Sequence, residues 1–206
     1  TMKEPQINSL FATPIYQNNI DRQFTKQELK FVNNQKNKCN KNQGNISTKD
    51  IYILNRKELK SIKKFLNTAC KDYLEKIISP KNNIELYITQ SWLNYTEKNQ
   101  YHHRHEHPNS VISGVLYFDC KKENDKIKFT NPVSYQQIVP EIEKYNICNS
   151  STWWFPLKTG QLIMFPSSTP HEVETKKGDN TRVSLAFNTF YKGILGSNVK
   201  STELIL

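Results

Sequence analysis

The chain lacks any long apolar segment, and this absence excludes one class of protein. Only 36% of its 206 residues are hydrophobic, and no apolar run approaches the roughly 18 residues that a helix needs to cross a bilayer. We therefore expect no membrane-spanning helix. The first residues, Thr1 to Pro5, also lack the apolar stretch of a secretory signal. The length is typical of one domain, so we expect a single domain over residues 1–206.

Paired cysteines are also missing. The four cysteines, Cys39, Cys70, Cys120 and Cys148, are scattered along the chain without any CxxC spacing. We interpret them as reduced thiols, which predicts a cytoplasmic protein.

Arginine is scarce although the chain is basic. Lysine and arginine together number 29 against 19 acidic residues, which gives a net charge of +10, yet only four of the 29 are arginine. The chain also contains 23 asparagines, and an excess of Lys and Asn can reflect an AT-rich genome as readily as a basic binding surface. A nucleic-acid site would place its basic residues among exposed aromatic ones around one groove, and the sequence does not show this clearly. The charge therefore leaves nucleic-acid binding open.

The first 80 residues predict an edge strand and two helices. Residues 7–16 are typical of an extended segment, and Pro14 places it at the edge of a sheet. Thr25 with a Glu three residues later is a capping-box pattern that starts a helix at Lys26. Residues 35–48 show no periodicity and predict an exposed loop. Apolar residues then recur every three or four positions over residues 59–77, which predicts a second helix that ends at Pro80.

From residue 84 the apolar period changes to two, which is typical of β-strands. Two helices followed by short strands predict an α+β fold, in which N-terminal elements over 1–80 support a curled β-sandwich or jelly roll over 84–191. Residues 120–126 and 140–151 are predicted to be surface insertions. The predicted strands are 84–95, 111–118, 126–130, 152–157, 161–165, 171–175 and 182–191.

Histidine is scarce, but its few positions are concentrated. Four of the five histidines lie between His102 and His107, and the fifth is His171. In an extended strand His105 and His107 point to the same face, where two imidazoles can converge on one ion. Outside the cluster only His171 remains to supply a third ligand. This set is typical of a first-row metal site with open positions, and imidazole suits Fe, Zn, Cu or Ni about equally. His102 and His103 are either exposed or orient a ligand.

Arg182 follows His171 by eleven residues, and Ser184 follows two residues later. If His171 and Arg182 open adjacent antiparallel strands, the guanidinium lies beside the metal site and Ser184 adds a hydroxyl on the same strand face. A guanidinium binds carboxylates in a bidentate manner, so the pocket is predicted to bind a metal and a dicarboxylate. The alternative is a structural ion pair of Arg182 with Glu172 or Glu174.

Five short segments, taken together, resemble the Fe(II)/2-oxoglutarate-dependent oxygenases, in the group with a His-x-His-Pro-Asn-Ser and an Arg-x-Ser motif. The early segment 11–16 also resembles the start of that group. The resemblance implies a double-stranded β-helix, a jelly-roll or cupin-like core, with flanking N-terminal helices. The five segments are Trp92-Leu93-Asn94, His105 to Ser110, Ser113 to Tyr117, Phe165-Pro166 before His171, and Arg182 to Asn188.

The same resemblance implies a site and a reaction. Fe(II) would be bound by His105, His107 and His171, and O2 would be the oxidant. The co-substrate 2-oxoglutarate would chelate the iron and place its far carboxylate on Arg182 and Ser184, with Asn94 as a further polar contact. The implied activity is a hydroxylase that converts 2-oxoglutarate to succinate.

The chain departs from the wider superfamily at one ligand. There the first motif is His-x-Asp or His-x-Glu, whereas this sequence has His107 at that position. Glu106 has the wrong parity to replace the carboxylate unless the strand bulges. Three neutral histidines would leave the charge of the site at +2, which favours anionic ligands.

Two alternatives therefore stay open. One is a cupin-type dioxygenase that uses three histidines without 2-oxoglutarate, and the other is a non-catalytic metal-binding module. The primary substrate is not readable from these residues, and a protein side chain, a nucleobase and a small metabolite are all candidates. The sequence is also compatible with a homodimer.

Overall fold

A computed structural model of the chain describes residues 5–131 and 140–206. Residues 1–4 and 132–139 lie outside the described ranges. The prediction that the first residues lack the apolar stretch of a secretory signal therefore falls mostly outside the described structure. The helices are α1 (Lys26–Gln35) and α2 (Lys60–Tyr73), and short 3-10 helices cover Lys36–Lys38, Ile53–Asn55 and Lys57–Leu59. The strands are β1 (Tyr16–Asn19), β2 (Cys39–Lys41), β3 (Ile46–Thr48), β4 (Ile84–Thr96), β5 (His102–His105), β6 (Ile112–Asp119), β7 (Lys126–Thr130), β8 (Thr152–Pro156), β9 (Gln161–Pro166), β10 (His171–Val173), β11 (Arg182–Leu195) and β12 (Leu204–Ile205).

The described strands form two antiparallel sheets. The larger sheet has the order β1-β9-β6-β11-β4-β3-β2, with β12 paired to β11, and the smaller sheet has the order β5-β10-β7-β8. Each of the seven predicted strands is present, with boundaries within a few residues of the prediction. The predicted α+β class is therefore confirmed.

The first helix begins where the sequence predicted. The Thr25 hydroxyl accepts a hydrogen bond from the Glu28 amide at 3.1 Å, and a Glu28 carboxylate oxygen accepts one from the Thr25 amide at 2.8 Å. Arg22 pairs with the same carboxylate at 2.6 Å, so the buried Glu28 has its charge compensated. This reciprocal pair satisfies two amides that a helix start otherwise leaves without partners.

The second helix also matches its prediction. The residues that it buries recur at intervals of three or four and pack against the large sheet. The helix continues as one π-helical segment, Leu74–Ile78, and ends at Ser79, which adopts a left-handed conformation directly before Pro80. The buried residues are Ile62, Leu66, Ala69, Cys70 and Tyr73.

The large sheet is buried on both faces. On β9, Leu162 and Met164 join the core beneath the helices, while Ile163 and Phe165 join a second core that faces the small sheet. Because neighbouring side chains of a strand point to opposite faces, this alternation produces three layers: helices, large sheet and small sheet.

The N-terminal strand was predicted over residues 7–16, and that prediction is wrong. Residues 7–15 form no strand, and Leu10 and Phe11 are exposed. Only Tyr16–Asn19 reaches a partner, β9, where it forms the edge of the large sheet as expected of a strand near Pro14.

The predicted loop at residues 35–48 is also wrong in part. Residues 39–41 and 46–48 within it form β2 and β3, and β3 extends the large sheet by pairing Ile46 with Tyr95 and Ser47 with Asn94. The segment carries almost no apolar alternation, so its strands depend on the backbone pairing of β2 with β3 and of β3 with β4, contacts that local periodicity does not reveal.

The two predicted insertions have different outcomes. Residues 140–151 form turns without a helix or strand, as predicted. Residues 121–125 also form a turn, but Asp125 is completely buried and accepts a hydrogen bond from the Lys121 amide at 2.8 Å. One residue of that turn, Asp125, therefore belongs to the interior of the protein.

Among the described helices, none combines the length and the apolar character that a membrane span requires.

We expect Gly114→Ala to lower the free energy of unfolding by about 1–3 kcal/mol, the usual cost of overfilling a core. Gly114 lies opposite Phe187 on β11, and a Cβ at this position would overlap the Phe187 ring. Urea unfolding of the purified variant measures the effect. The double variant Gly114→Ala/Phe187→Leu should recover part of the loss, and an unchanged midpoint in the single variant would contradict the packing.

Candidate active site

Three histidines converge between the two sheets. His105 ends β5, His171 opens β10, and the two residues are directly paired across these strands. His107 lies two residues beyond β5, where its amide donates to the Ser167 carbonyl at 3.0 Å. The ring centroid of His105 lies 4.3 Å from that of His171 and 4.9 Å from that of His107. One ring nitrogen from each of the three lies within 4.8 Å of the others, which is close enough for one metal ion.

Hydrogen bonds fix the tautomers of two of these rings. Nδ1 of His105 lies 2.7 Å from the His103 carbonyl oxygen, and Nδ1 of His171 lies 3.1 Å from the Thr169 carbonyl oxygen. A carbonyl only accepts, so both Nδ1 atoms carry the proton and both Nε2 lone pairs are free. Such backbone partners are typical of metal-binding histidines, because they orient the ring and raise its basicity as a ligand.

Burial keeps the three imidazoles neutral at physiological pH. Burial first, and then the neighbouring histidines, lowers the pKa of His171 to about 3, and the same causes lower the pKa of His107 to about 4. Burial also lowers the pKa of His105. Since the neutral ring is the form that binds metal, the cluster is ready to bind without releasing protons.

The donor set fits a first-row metal ion such as Fe(II). It offers three neutral nitrogen atoms on converging rings, which suits imidazole-bound iron. Neither of the two candidate metal groups among the described residues includes a carboxylate, and Glu106 is exposed as its parity predicted. The second group, His102, His103 and His105, shares His105 with the first, so the two groups compete for one ligand.

A pocket continues from the histidines toward β4 and β11. Because alternate residues of a strand share a face, each strand of the large sheet presents every second side chain to this pocket. Cross-strand pairing aligns these residues in rows, with Ser184 opposite Asn94 and Arg182 opposite Thr96. The large-sheet residues of the pocket are Trp92, Asn94 and Thr96 from β4, Val115 and Tyr117 from β6, and Arg182, Ser184 and Ala186 from β11.

The strand arrangement assumed for His171 and Arg182 is wrong. His171 opens β10 in the small sheet, whereas Arg182 opens β11 in the large sheet. Residues 174–181 therefore connect two opposed sheets and not two neighbouring strands. The guanidinium still reaches the same pocket as the three converging histidines, because both sheets contribute its walls.

Arg182 is buried and only partly compensated. Its side chain is 4% exposed, Nη2 donates to the Thr96 hydroxyl at 3.1 Å, and Nη1 lies 3.6 Å from the Asp125 carboxylate. The proposed ion pair with Glu172 or Glu174 is absent in the described structure. Those two carboxylates instead pair with Lys128, at 2.6 and 3.1 Å.

Asn94 and Ser184 lie where the sequence predicted, on one face of the large sheet. Both are buried and line the pocket. The Asn94 carbonyl oxygen accepts a hydrogen bond from the Ser47 hydroxyl at 2.7 Å, so the side chain is held by the strand that sequence analysis took for a loop. Its amide nitrogen is thereby oriented as a donor.

His102 and His103, whose roles the sequence left open, differ from each other. His102 lines the pocket, stacks on His105 with ring centroids 4.6 Å apart, and has a pKa well below its usual value because of burial. Asn45 lies 3.4 Å from its Nδ1. His103 supports the site through its backbone carbonyl, which accepts from His105.

Sequence reasoning missed Thr96 and Tyr117 as pocket residues. Thr96 shares its parity with Trp92 and Asn94, so strand alternation alone would have included it. Tyr117 ends the Ser113-to-Tyr117 motif and is paired with Ser184. Burial raises the pKa of Tyr117 far above its usual value, so its hydroxyl stays a protonated donor inside the pocket.

Comparison with known proteins gives one family and a set of similar folds. A family model described as "Putative 2OG-Fe(II) oxygenase" matches residues 90–188, the segment that contains all six predicted site residues. The comparison with curated proteins gives no match.

Solved structures resemble the fold at low sequence identity. A prolyl-4-hydroxylase from Pseudomonas putida is 12% identical with a TM-score of 0.54, covering 87% of this chain and 94% of its own. The 2-oxoglutarate-dependent epimerase SnoN from nogalamycin biosynthesis is 9% identical with a TM-score of 0.60, covering 87% and 76%. HygX from Streptomyces hygroscopicus, solved with nickel, 2-oxoglutarate and hygromycin B, is 10% identical with a TM-score of 0.52, covering 86% and 82%. These likenesses confirm the double-stranded β-helix fold.

We expect the protein to bind one divalent first-row metal ion, and we expect His105→Ala, His107→Ala or His171→Ala to weaken that binding by at least about 100-fold. The reason is that each substitution removes one of three converging nitrogens. Equilibrium dialysis with Co(II) measures the affinity.

His103→Ala is the matched control for these variants, because it leaves the backbone carbonyl that orients His105 in place. It should bind Co(II) like the unaltered protein. Loss of binding in His103→Ala together with retention in His107→Ala would instead place the ion among His102, His103 and His105.

Proposed function

We propose that this chain, whose residues 90–188 match the model of a family described as "Putative 2OG-Fe(II) oxygenase", uses His105, His107 and His171 to hold Fe(II) and Arg182, Ser184 and Asn94 to bind 2-oxoglutarate. Fe(II), 2-oxoglutarate and O2 are the cofactor and co-substrates of that family. One observation carries the assignment: a buried, incompletely compensated arginine and three converging histidines line the same pocket.

The polar end of the pocket suits a carboxylate. Arg182 provides a planar set of N–H donors, of which the Thr96 hydroxyl takes one. The hydroxyls of Ser184 and Tyr117 lie on paired residues beside it. A dicarboxylate that reaches from this end toward the histidines would meet a positive charge at both of its ends, since three neutral ligands leave the charge of the metal unreduced.

Part of the pocket wall is apolar. Val115, Ile127 and Ala186 contribute walls without hydrogen-bonding groups, and Trp92 lies beside His107 with ring centroids 5.8 Å apart. When the iron is bound, the site supplies O2 activation coupled to the oxidative decarboxylation of 2-oxoglutarate to succinate. These side chains would position the co-substrate and exclude water from that chemistry, which is the part that a protein plays around a reactive cofactor.

Within this class we propose a hydroxylase. Structures similar to this fold include prolyl hydroxylases from Pseudomonas putida and Trichoplax adhaerens, which supports the choice, but also an epimerase and a carbocyclase. Since one fold supports these different outcomes, the primary substrate class stays a choice among a protein side chain, a nucleobase and a small metabolite. The four unpaired cysteines support our expectation of a reducing, cytoplasmic setting. A homodimer stays a prediction.

The dioxygenase alternative that uses no 2-oxoglutarate is favoured by a single observation, the absence of a carboxylate from the described metal groups. It gives no role to a buried arginine in the pocket. A non-catalytic metal-binding module also gives this arginine no role. We therefore prefer the hypothesis of a 2-oxoglutarate-dependent enzyme.

We expect the Fe(II)-loaded protein to bind 2-oxoglutarate anaerobically, and we expect Arg182→Met to weaken this binding by about 10- to 100-fold, the range for loss of charge-assisted hydrogen bonds. The visible charge-transfer band of the iron chelate reports the binding. Arg104→Met is a matched control, because Arg104 is exposed on β5 and lies outside the pocket lining.

The same preparations separate the three functions when air is admitted. Oxygen uptake and succinate formation that both require 2-oxoglutarate support the proposal. Oxygen uptake that is independent of 2-oxoglutarate would favour the three-histidine dioxygenase, and no turnover with any co-substrate would favour the non-catalytic module. Cell extracts treated with active protein or with His171→Ala, compared for mass gains of one oxygen atom, would then identify the primary substrate.

A further inference from the structure

A buried group of three charges lies at the polar end of the pocket. One Asp125 carboxylate oxygen is 3.3 Å from Lys176 Nζ and 3.6 Å from Arg182 Nη1. The side chains of Lys176 and Asp125 are both 0% exposed, and that of Arg182 is 4% exposed. Lysine is almost never fully buried unless it is paired, so this arrangement calls for an explanation.

The group contains two cations and one anion, so its formal charge is +1. Asp125 is held from its other oxygen by the Lys121 amide at 2.8 Å, and Lys176 also donates to the Asn180 side-chain oxygen at 2.8 Å. Lys176 does not line the pocket, whereas Arg182 does. The uncompensated positive charge is therefore presented to the pocket at Arg182.

The backbone around Lys176 holds its position independently of the ammonium. The Lys176 amide donates to the Gln100 carbonyl, and the Lys176 carbonyl accepts from the Asn99 amide, each at 2.8 Å. Gly178 allows the ammonium to approach, since a Cβ there would lie 3.2 Å from Nζ. Apolar side chains of similar size often replace a buried ion pair without loss of stability, so the stability of the fold alone does not account for a buried lysine at this position.

We propose that Lys176 and Asp125 are positioning residues for the co-substrate, an inference that rests on the proposed function. Asp125 orients the guanidinium of Arg182. The ammonium of Lys176 compensates the negative charge of Asp125, so this carboxylate does not neutralise Arg182. The end of the pocket thus keeps one unit of positive charge, which is matched by a ligand that carries one carboxylate at its distal end. The trio sets the preference for a 2-oxo dicarboxylate over a 2-oxo monocarboxylate of equal length.

The test compares two ligands on the Co(II)-loaded protein by titration calorimetry: 2-oxoglutarate and 2-oxopentanoate, which has a methyl group in place of the distal carboxylate. The ratio of their dissociation constants does not depend on the fraction of folded protein, so partial unfolding of a variant cannot mimic the effect. We expect the unaltered protein to prefer 2-oxoglutarate, and Lys176→Met to reduce that preference by about 10- to 100-fold, with Co(II) affinity unchanged.

The double variant Lys176→Met/Asp125→Asn provides the decisive comparison. It removes one positive and one negative charge and so restores the formal charge of the group to +1. We expect it to regain most of the preference that Lys176→Met loses, which two merely structural substitutions would not do. Lys98→Met is the matched control, because it removes an exposed lysine that pairs with Asp179 and should leave the ratio unchanged.

Three results would overturn the inference: the first two leave the proposed function standing, and the third overturns both. A Lys176→Met ratio equal to that of the unaltered protein would show that Lys176 does not set the charge at Arg182. A double variant no better than Lys176→Met would remove the charge balance as the cause. If the unaltered, metal-loaded protein shows no preference for 2-oxoglutarate, the assignment of Arg182 itself fails, and the proposed function fails with it.

Discussion

The burial of the large sheet on both faces is the constraint on which the rest of the molecule depends. Each of its central strands packs against the helical layer with one face and lines the pocket with the other. On β4, Leu93 and Tyr95 belong to the core beneath the helices, while Asn94 and Thr96 face the pocket. Because the side-chain period of a strand is two, a slip of one residue would exchange the two sets. The hydrophobic core thereby fixes the register that places the polar residues of the site.

Charge organises the pocket that this register creates. The three histidines are neutral because their surroundings lower their pKa values, so they would leave the charge of a bound metal uncompensated at one end. At the other end, Asp125 compensates only one of the two cations, Lys176 and Arg182. Positive charge in a buried pocket is less screened than that of the dispersed lysines that give the chain its net charge of +10. The anion preference that we propose is therefore a local property of the pocket.

Much of the fold and of the histidine cluster could be predicted because both show patterns that are readable along the sequence. The capping box at Thr25 and the apolar spacing of the second helix involve residues within one or two helical turns. The spacing of His105 and His107 predicted a shared face in an extended chain, and the scarcity of histidine left His171 as the remaining candidate ligand. The strands at residues 39–41 and 46–48 escaped prediction, since the pairing of β2 with β3 and of β3 with β4 is a contact between backbones that carries no side-chain pattern.

The sequence by itself determined the chemical inventory: which few histidines and arginines exist, which of them share a strand face, and which family they resemble. Only the tertiary structure decided where the distant residues meet. It placed His171 and Arg182 on opposed sheets, and it brought Asp125 from a predicted surface turn and Lys176 from a loop into the interior beside Arg182. The physical reason is that the pairing of buried charges depends on positions far apart in the chain, which no local period of hydrophobicity records.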